Sequence, residues 1–175
     1  MKKLIIIRGP SGVGKSAVVK ELLKNLDGSY AYIPVAHTTY SLLVKEPLFA
    51  SDDLIDLMQD NVDCLANNFL KKEYSVVTDA IFYHKTNNIS RLKTLIDVGE
   101  KNNAKVIVFD LIASLDILIE RAKKRSREKD VKTNFELIKK KYAKFEKNRY
   151  ENSITINTEK KTVKQIANEI RENIK

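Results

Sequence analysis

The sequence GPSGVGKS at residues 9–16 constrains the fold of this chain more than any other feature. It matches the phosphate-binding pattern G-x-x-x-x-G-K-[ST] at every constrained position. Residues 4–7, LIII, predict a short buried strand before it, and residues 17–23, AVVKELL, predict a helix after it. A strand, a glycine-rich loop and a helix in this order predict a phosphate loop (Walker A motif) that binds a nucleoside triphosphate.

The residue types of this loop suit a bound phosphate. Glycines let the backbone wrap closely around an anion. Successive backbone N–H groups and the positive end of the following helix then face the β-phosphate. We expect Lys15 to reach the β- and γ-phosphates and the Ser16 hydroxyl to coordinate Mg²⁺; the alternative is a glycine-rich turn that binds nothing. The residues predicted to bind nucleotide are Gly9, Ser11, Gly12, Val13, Gly14, Lys15, Ser16 and Ala17.

Composition fits one globular domain over residues 1–175, with 43% hydrophobic and 31% charged residues. No apolar run approaches the roughly 18 residues of a membrane span, so no membrane partner is expected. The single cysteine, Cys64, excludes an internal disulfide and predicts a cytoplasmic protein. The sequence predicts no oligomeric state.

The excess positive charge lies in one stretch, residues 121–149, which we call the basic segment. It contains thirteen Lys or Arg and four Asp or Glu, so it carries the whole formal net charge of +9. Arg121 and Arg125 lie four residues apart and share a helix face. Arginines can clamp phosphate oxygens and offset the charge that develops during transfer, so we predict catalytic roles for both. Its lysines fit a solvated helix face.

Predicted strands alternate with predicted helices along the whole chain. After the first strand and helix, strands are expected at residues 30–35, 74–79, 104–110 and 153–156, and helices at about 50–72, 87–103, 114–129, 134–149 and after Thr162. Strands separated by helices predict right-handed βαβ units. The result is a parallel sheet with helices on both faces, a three-layer α/β fold whose ligands bind at the carboxyl ends of the strands.

Polar residues at three predicted strand ends are candidates for the chemistry. Asp79 and Asp110 each end a hydrophobic run, and a Mg²⁺-nucleotide site commonly uses one such carboxylate. We assign the metal and catalytic role to Asp79 and keep Asp110 as the alternative; either can also be a solvated strand end or a helix cap. His37, after the second strand, is predicted to act as a base or to bind the acceptor, unless it is structural. His84 is a further candidate.

Together these features resemble the small P-loop kinases: nucleoside and nucleotide, shikimate, gluconate and chloramphenicol kinases, and the kinase domain of polynucleotide kinases. The similarity rests on the loop at residues 9–16, the strand ending in Asp79, the strand ending in Asp110 with its arginine-bearing helix, and the last strand and helix. The resemblance implies a five-stranded parallel sheet of order 2-3-1-4-5 and a basic helical lid at about residues 121–149. It also implies ATP·Mg²⁺ as the phosphate donor.

One departure from the family pattern leaves the acceptor open. Many of these kinases place an aspartate just after the second strand to activate the acceptor hydroxyl, whereas residues 35–39 here read VAHTT. Three explanations remain: His37 substitutes, Asp79 does the work, or the acceptor is an ionised phosphate that needs no base.

The leading hypothesis is therefore an ATP-dependent phosphotransferase that acts on a small molecule or a nucleotide. The concentrated positive charge favours an alternative, a kinase of 5′-hydroxyl nucleic-acid ends. A nucleotide-dependent regulatory ATPase is the third hypothesis, and the absence of an Asn-Lys-x-Asp motif argues against a GTPase.

Overall fold

The computed structural model describes residues 1–43, 52–80, 91–129 and 134–175. The strands of these residues are β1 (Lys3–Arg8), β2 (Tyr30–Pro34), β3 (Ser75–Ala80), β4 (Lys105–Ile112) and β5 (Ile154–Asn157). The helices are α1 (Lys15–Leu23), α2 (Val35–Tyr40), α3 (Asp52–Lys71), α4 (Arg91–Lys101), α5 (Leu115–Lys129), α6 (Phe135–Glu146) and α7 (Val163–Ile174). Among the described residues, no helix combines the length and the apolar character of a membrane span.

The strands form one parallel sheet in the order β2-β3-β1-β4-β5. This confirms the predicted strand order and the predicted three-layer α/β class. The central strand, β1, is fully buried from Leu4 to Ile7. A strand that pairs on both edges and is covered on both faces is apolar at successive positions, which is why the run LIII was recognisable in the sequence. The phosphate loop begins where this central strand ends.

Two local features differ from the sequence prediction. The short helix α2 was not predicted, because its residues VAHTTY include three β-branched side chains that disfavour helix. Its two threonine hydroxyls are bonded: Thr38 Oγ1 donates to the Pro34 carbonyl at 2.7 Å, and Thr39 Oγ1 accepts from Asn61 Nδ2 at 3.1 Å. Strand β4 continues beyond its predicted end at Asp110, so Asp110 lies inside the strand and is fully buried.

The chain divides into two compact units, of which one comprises Met1–Ile6 and Asp27–Ile107. In this unit β2 pairs in parallel with β3 from Tyr30 opposite Ser75 to Pro34 opposite Asp79. Helix α3 packs against α4, α2, β2 and β3, and it has one buried apolar face. The buried residues of that face, spaced four apart, are Met58, Val62, Ala66 and Leu70.

The other unit comprises Ile7–Leu26 and Val108–Lys175. Here β4 pairs in parallel with β5, and α1 packs against α7. Helix α7 begins at a capping box in which Thr162 Oγ1 accepts from the Gln165 N–H, which confirms the predicted cap. Helix α6 begins after Asn134, whose side chain accepts from the Leu137 N–H, and this places the helix start where the sequence predicted it.

Candidate functional site

The phosphate loop connects β1 to α1 and adopts a conformation that depends on glycine. Gly12 and Gly14 have φ angles of +88° and +104°, values that L-amino acids with a side chain rarely adopt. Gly14 is also the N-cap of α1 and offers no side chain to bond the first-turn N–H groups. A helix start of this kind presents backbone amides and a positive dipole end to an anion.

Gly9 is required for a different reason, which is close packing. A Cβ atom added at Gly9 would lie 2.6 Å from the Leu111 carbonyl oxygen and 2.8 Å from Cγ1 of Val13. Neither gap accommodates a methyl group: the first would require displacement of the backbone of β4, and the second a shift of the Val13 side chain. The first residue of the loop is therefore pressed directly against β4.

Lys15 is folded back onto the loop. Its Nζ donates to the carbonyl oxygens of Gly9 at 2.9 Å and Pro10 at 3.1 Å. The predicted nucleotide-binding residues thus adjoin one another: five lie in the loop, while Lys15, Ser16 and Ala17 open α1. The ammonium group already lies over the loop, where a bound phosphate would replace the carbonyl oxygens as its partner.

Arg121 of α5 contacts the same loop. Its Nη1 donates to the Val13 carbonyl at 3.4 Å and to Thr158 Oγ1 at 3.0 Å, and its Nη2 donates to the Thr158 carbonyl at 2.8 Å. The neighbouring Glu159 accepts a hydrogen bond from the Ser114 N–H at 2.7 Å, which lowers the pKa of this carboxyl. Arg121 therefore joins the phosphate loop to the segment that follows β5. Arg125, one turn further along α5, is exposed.

Asp79 lies near the end of β3, in the unit that comprises Met1–Ile6 and Asp27–Ile107. Its side chain is buried, and Oδ1 accepts a hydrogen bond from the Tyr32 hydroxyl at 2.7 Å. Next to it, Thr78 Oγ1 donates to the Ile33 carbonyl at 2.7 Å. The partner of Asp79 on β2 was not anticipated, because the two residues are far apart in sequence and meet only through the pairing of β2 with β3.

The histidine candidates are less defined. The structure places the backbone of His37 in α2, directly after β2. His84 lies outside the described residues. The assignment of a base therefore stays a prediction.

A family model described as an AAA domain matches residues 4–147, which extend from β1 past the end of α6. The chain belongs to the AAA domain family. The matched region includes the phosphate loop, Asp79 and both predicted catalytic arginines.

This AAA domain is similar to proteins that are named as kinases. A guanylate kinase of Prochlorococcus marinus subsp. pastoris is 29% identical over 181 residues, with 95% of each chain covered. The solved structure of the Mycobacterium tuberculosis APS kinase CysC with AMPPNP and APS matches with a TM-score of 0.70 at 14% identity, covering 99% of this chain and 97% of that one. A gluconokinase of Sinorhizobium meliloti 1021 matches with a TM-score of 0.68 at 16% identity, covering 98% and 95%. The predicted resemblance to the small P-loop kinases is confirmed.

The structure also contains a largely buried charged cluster that the sequence did not reveal. Arg8, the last residue of β1, and Asp110 of β4 are both fully buried, with 3.5 Å between Arg8 Nη1 and Asp110 Oδ1. Arg149 Nε approaches Asp110 Oδ2 at 3.0 Å. The guanidinium groups of Arg8 and Arg149 lie 5.4 Å and 5.5 Å from the centre of the Phe145 ring.

This cluster explains Asp110, which is neither a solvated strand end nor a helix cap. It is the carboxylate partner of two arginines, of which Arg8 is fully buried and Arg149 is partly exposed. Burial lowers the pKa of Arg8, and the charge of Asp110 opposes that shift. Only the tertiary pairing of β1, β4 and the end of α6 reveals these partners.

Proposed function

We propose that this protein is an ATP-dependent phosphotransferase that moves the γ-phosphate of ATP·Mg²⁺ to a small-molecule or nucleotide acceptor. The observation that carries the proposal is the loop with its positive-φ glycines and the Lys15 ammonium group folded over it. Family membership and the kinase-like fold support the same conclusion. In the reaction, the bond between the γ-phosphorus of ATP and the β,γ-bridging oxygen breaks, an acceptor oxygen bonds to the γ-phosphorus, and ADP leaves with the bridging oxygen.

The proposed roles follow the chemistry of the side chains. Lys15 holds the β- and γ-phosphates, and Ser16 and Asp79 hold the magnesium ion of the substrate complex. Arg121 and Arg125 stabilise the charge that develops on the transferred phosphoryl group. His37 or Asp79 accepts the proton of an acceptor hydroxyl, whereas an ionised phosphate acceptor needs no base.

The hydrogen-bond donors and the positive charge of the loop match the phosphates of ATP. The backbone amides at the start of α1 have no capping side chain on Gly14, and Lys15 supplies a full positive charge. Both suit a polyphosphate. In this proposal the basic segment acts as a lid over the bound triphosphate, as in the kinases that the sequence resembles.

The test is transfer of label from γ-labelled ATP in the presence of Mg²⁺. Purified protein is incubated separately with nucleoside monophosphates, with sugars and sugar acids, and with 5′-hydroxyl oligonucleotides. We expect a labelled product other than inorganic phosphate in one of the first two pools. Label that appears only in inorganic phosphate across all pools would overturn the proposal in favour of a regulatory ATPase.

One observation supports a second candidate, a kinase of nucleic-acid ends. Lys123, Lys124 and Arg125 of α5 and Lys139 and Lys140 of α6 are exposed within the basic segment. Exposed cations of this density attract nucleic-acid phosphates. Label transfer to the oligonucleotide pool alone would favour this candidate.

A further inference from the structure

The start of the phosphate loop is joined to β4 by two consecutive pairs of contacts. Arg8 forms an ion pair with Asp110, and the next residue, Gly9, lies so close to Leu111 that a Cβ atom would come within 2.6 Å of its carbonyl oxygen. The last residue of β1 and the first residue of the loop thus face two consecutive residues of β4. A displacement of the Asp110–Leu111 backbone must displace Gly9 as well, because closely packed groups have no space to absorb it.

The same aspartate is held from the far side by the segment that follows α6. Arg149 bonds Asp110 through Nε at 3.0 Å and donates through Nη2 to Thr155 Oγ1 at 2.8 Å. Arg8 contacts the same segment, because its Nη2 donates to the Asn148 carbonyl at 2.7 Å. Residues 148–149, where the basic segment ends, are therefore linked to Arg8 in two ways: directly through the Asn148 carbonyl, and indirectly through Asp110, which pairs with both arginines.

A buried cluster of charges contributes little to the free energy of folding. Two guanidinium groups and one carboxylate have lost most of their hydration, and buried ion pairs often contribute no more than apolar side chains of similar volume. Their directional contacts do specify one arrangement of the groups that they join. The geometry therefore suits positioning better than stabilisation.

We propose that Asp110 and Arg149 are positioning residues that act through Arg8 on the phosphate loop. They set the position of the Gly9 carbonyl, which is a partner of the Lys15 ammonium group at 2.9 Å, and they tie that position to the end of the basic segment. The effect on phosphate transfer rests on the proposed function. The mechanical link between residues 148–149 and the loop is independent of the proposed function.

The experiment compares Arg149→Gln with the wild-type full-length chain. The Arg149 side chain is 28% exposed and is not part of the Arg8–Asp110 contact, so its replacement removes one partner of Asp110 and keeps the other. Hydrogen–deuterium exchange is measured without nucleotide over residues 7–20 and 145–156. We expect faster exchange in both regions, and a kcat for transfer about tenfold lower with KM for ATP changed less than about threefold, because a misplaced Lys15 matters most in the transition state.

Two further variants complete the test. Arg149→Lys keeps the charge without the planar fork and should give intermediate exchange and kcat values. Lys161→Gln removes an exposed ion pair with Glu169 in the same unit and should change neither. Faster exchange confined to residues 145–156, with loop exchange and kcat unchanged, would overturn the proposal and leave a local ion pair. A wild-type protein without transfer activity would defeat the proposed function, while loop exchange would still decide this inference.

Discussion

At the scale of single residues, Lys15 combines the sequence motif with an observed contact. Its ammonium group is bonded to two loop carbonyls, and a triphosphate offers stronger, charged partners at the same place. We expect Lys15→Ala to lower transfer by at least about 100-fold, the usual loss when one preorganised charge donor is removed. Far-ultraviolet circular dichroism should show an intact fold.

The matched control for Lys15→Ala is Lys20→Ala. Lys20 lies in the last turn of α1 and is exposed, so this variant removes the same charge from the same helix away from the loop. Wild-type turnover is expected for it. Substantial activity in Lys15→Ala would show that the loop does not bind the phosphate donor, ATP, as proposed.

Tyr32 provides a second prediction at this scale. Its hydroxyl donates to Asp79 at 2.7 Å and so fixes the orientation of the carboxylate proposed to hold magnesium. Tyr32→Phe should cost about 1 kcal/mol of stability and should raise the Mg²⁺ concentration needed for half-maximal transfer. Titration of activity with Mg²⁺ measures this. Tyr30→Phe, two residues earlier on β2, is the control, and an unchanged Mg²⁺ dependence in Tyr32→Phe would separate Asp79 from the metal.

At the scale of secondary-structure elements, the packing of α3 against α4 contains a carboxyl that burial perturbs. Burial raises the pKa of Asp63 above its usual value of 3.8, although hydrogen bonds from Gln59 and Thr94 and the charge of Arg91 oppose the shift. The nearby charge of Asp60 adds to the rise. The folded protein therefore binds the Asp63 proton more tightly than the unfolded chain does.

This shift predicts a pH dependence of stability. Because the folded state holds more protons between the two pKa values, Asp63 lowers stability progressively as pH rises from about 4 through its folded-state pKa. Asp63→Asn cannot ionise and keeps an oxygen to accept from Gln59. The stability of the variant relative to wild type should rise with pH across that window, as measured by urea unfolding at several pH values. A difference independent of pH would contradict the shift.

The first turn of α7 gives a prediction that does not depend on function. Thr162 Oγ1 accepts from the Gln165 N–H, and the Gln165 side chain accepts from the Thr162 N–H. Loss of such a cap costs about 1 kcal/mol. Thr162→Ala should therefore lower the free energy of unfolding by about that amount, and Thr162→Ser should restore most of it. Equal stability of all three proteins would show that the cap contributes nothing.

At the scale of the whole molecule, the charge distribution is uneven, since the basic segment carries the net charge of +9. We expect binding of an oligonucleotide to weaken steeply as salt concentration rises, because counterions are released from the phosphates. Lys123→Glu combined with Lys140→Glu should reduce both the affinity and the salt dependence. Fluorescence anisotropy with a labelled oligonucleotide measures both quantities.

The control for this charge reversal is Lys101→Glu combined with Lys105→Glu. Both residues are exposed and lie outside the basic segment, so the net charge changes by the same amount. Equal losses in the two double variants would mean that only net charge matters and that no specific basic surface exists.

Much of the fold was predictable because its signals are local. The run LIII predicted the buried central strand, the alternation of strands and helices predicted a parallel sheet, and Thr162 predicted the start of α7. The strand order 2-3-1-4-5 came from the resemblance to known kinases and is confirmed. Periodicity and capping depend on neighbours within a few residues, so one sequence is enough to recognise them.

The features that sequence reasoning missed all depend on distant partners. Helix α2 forms although its residues disfavour helix, and one of them, Thr39, is bonded by Asn61 of α3. Asp110 resembled an acid at a strand end, but it is buried between arginines that stand 102 positions before it and 39 positions after it. No local pattern specifies which charged side chains will meet across so long a stretch of chain.

The sequence by itself determined the phosphate loop, because a glycine-rich turn between a strand and a helix is defined by backbone preferences within eight consecutive residues. Only the tertiary structure decided the partners of that loop. Gly9 is pressed against Leu111, Arg121 donates to the Val13 carbonyl, and Arg8 contacts Asp110 and the segment that follows α6. These contacts exist because the pairing of strands and the packing of α5 and α6 bring distant side chains within a few ångströms of one another.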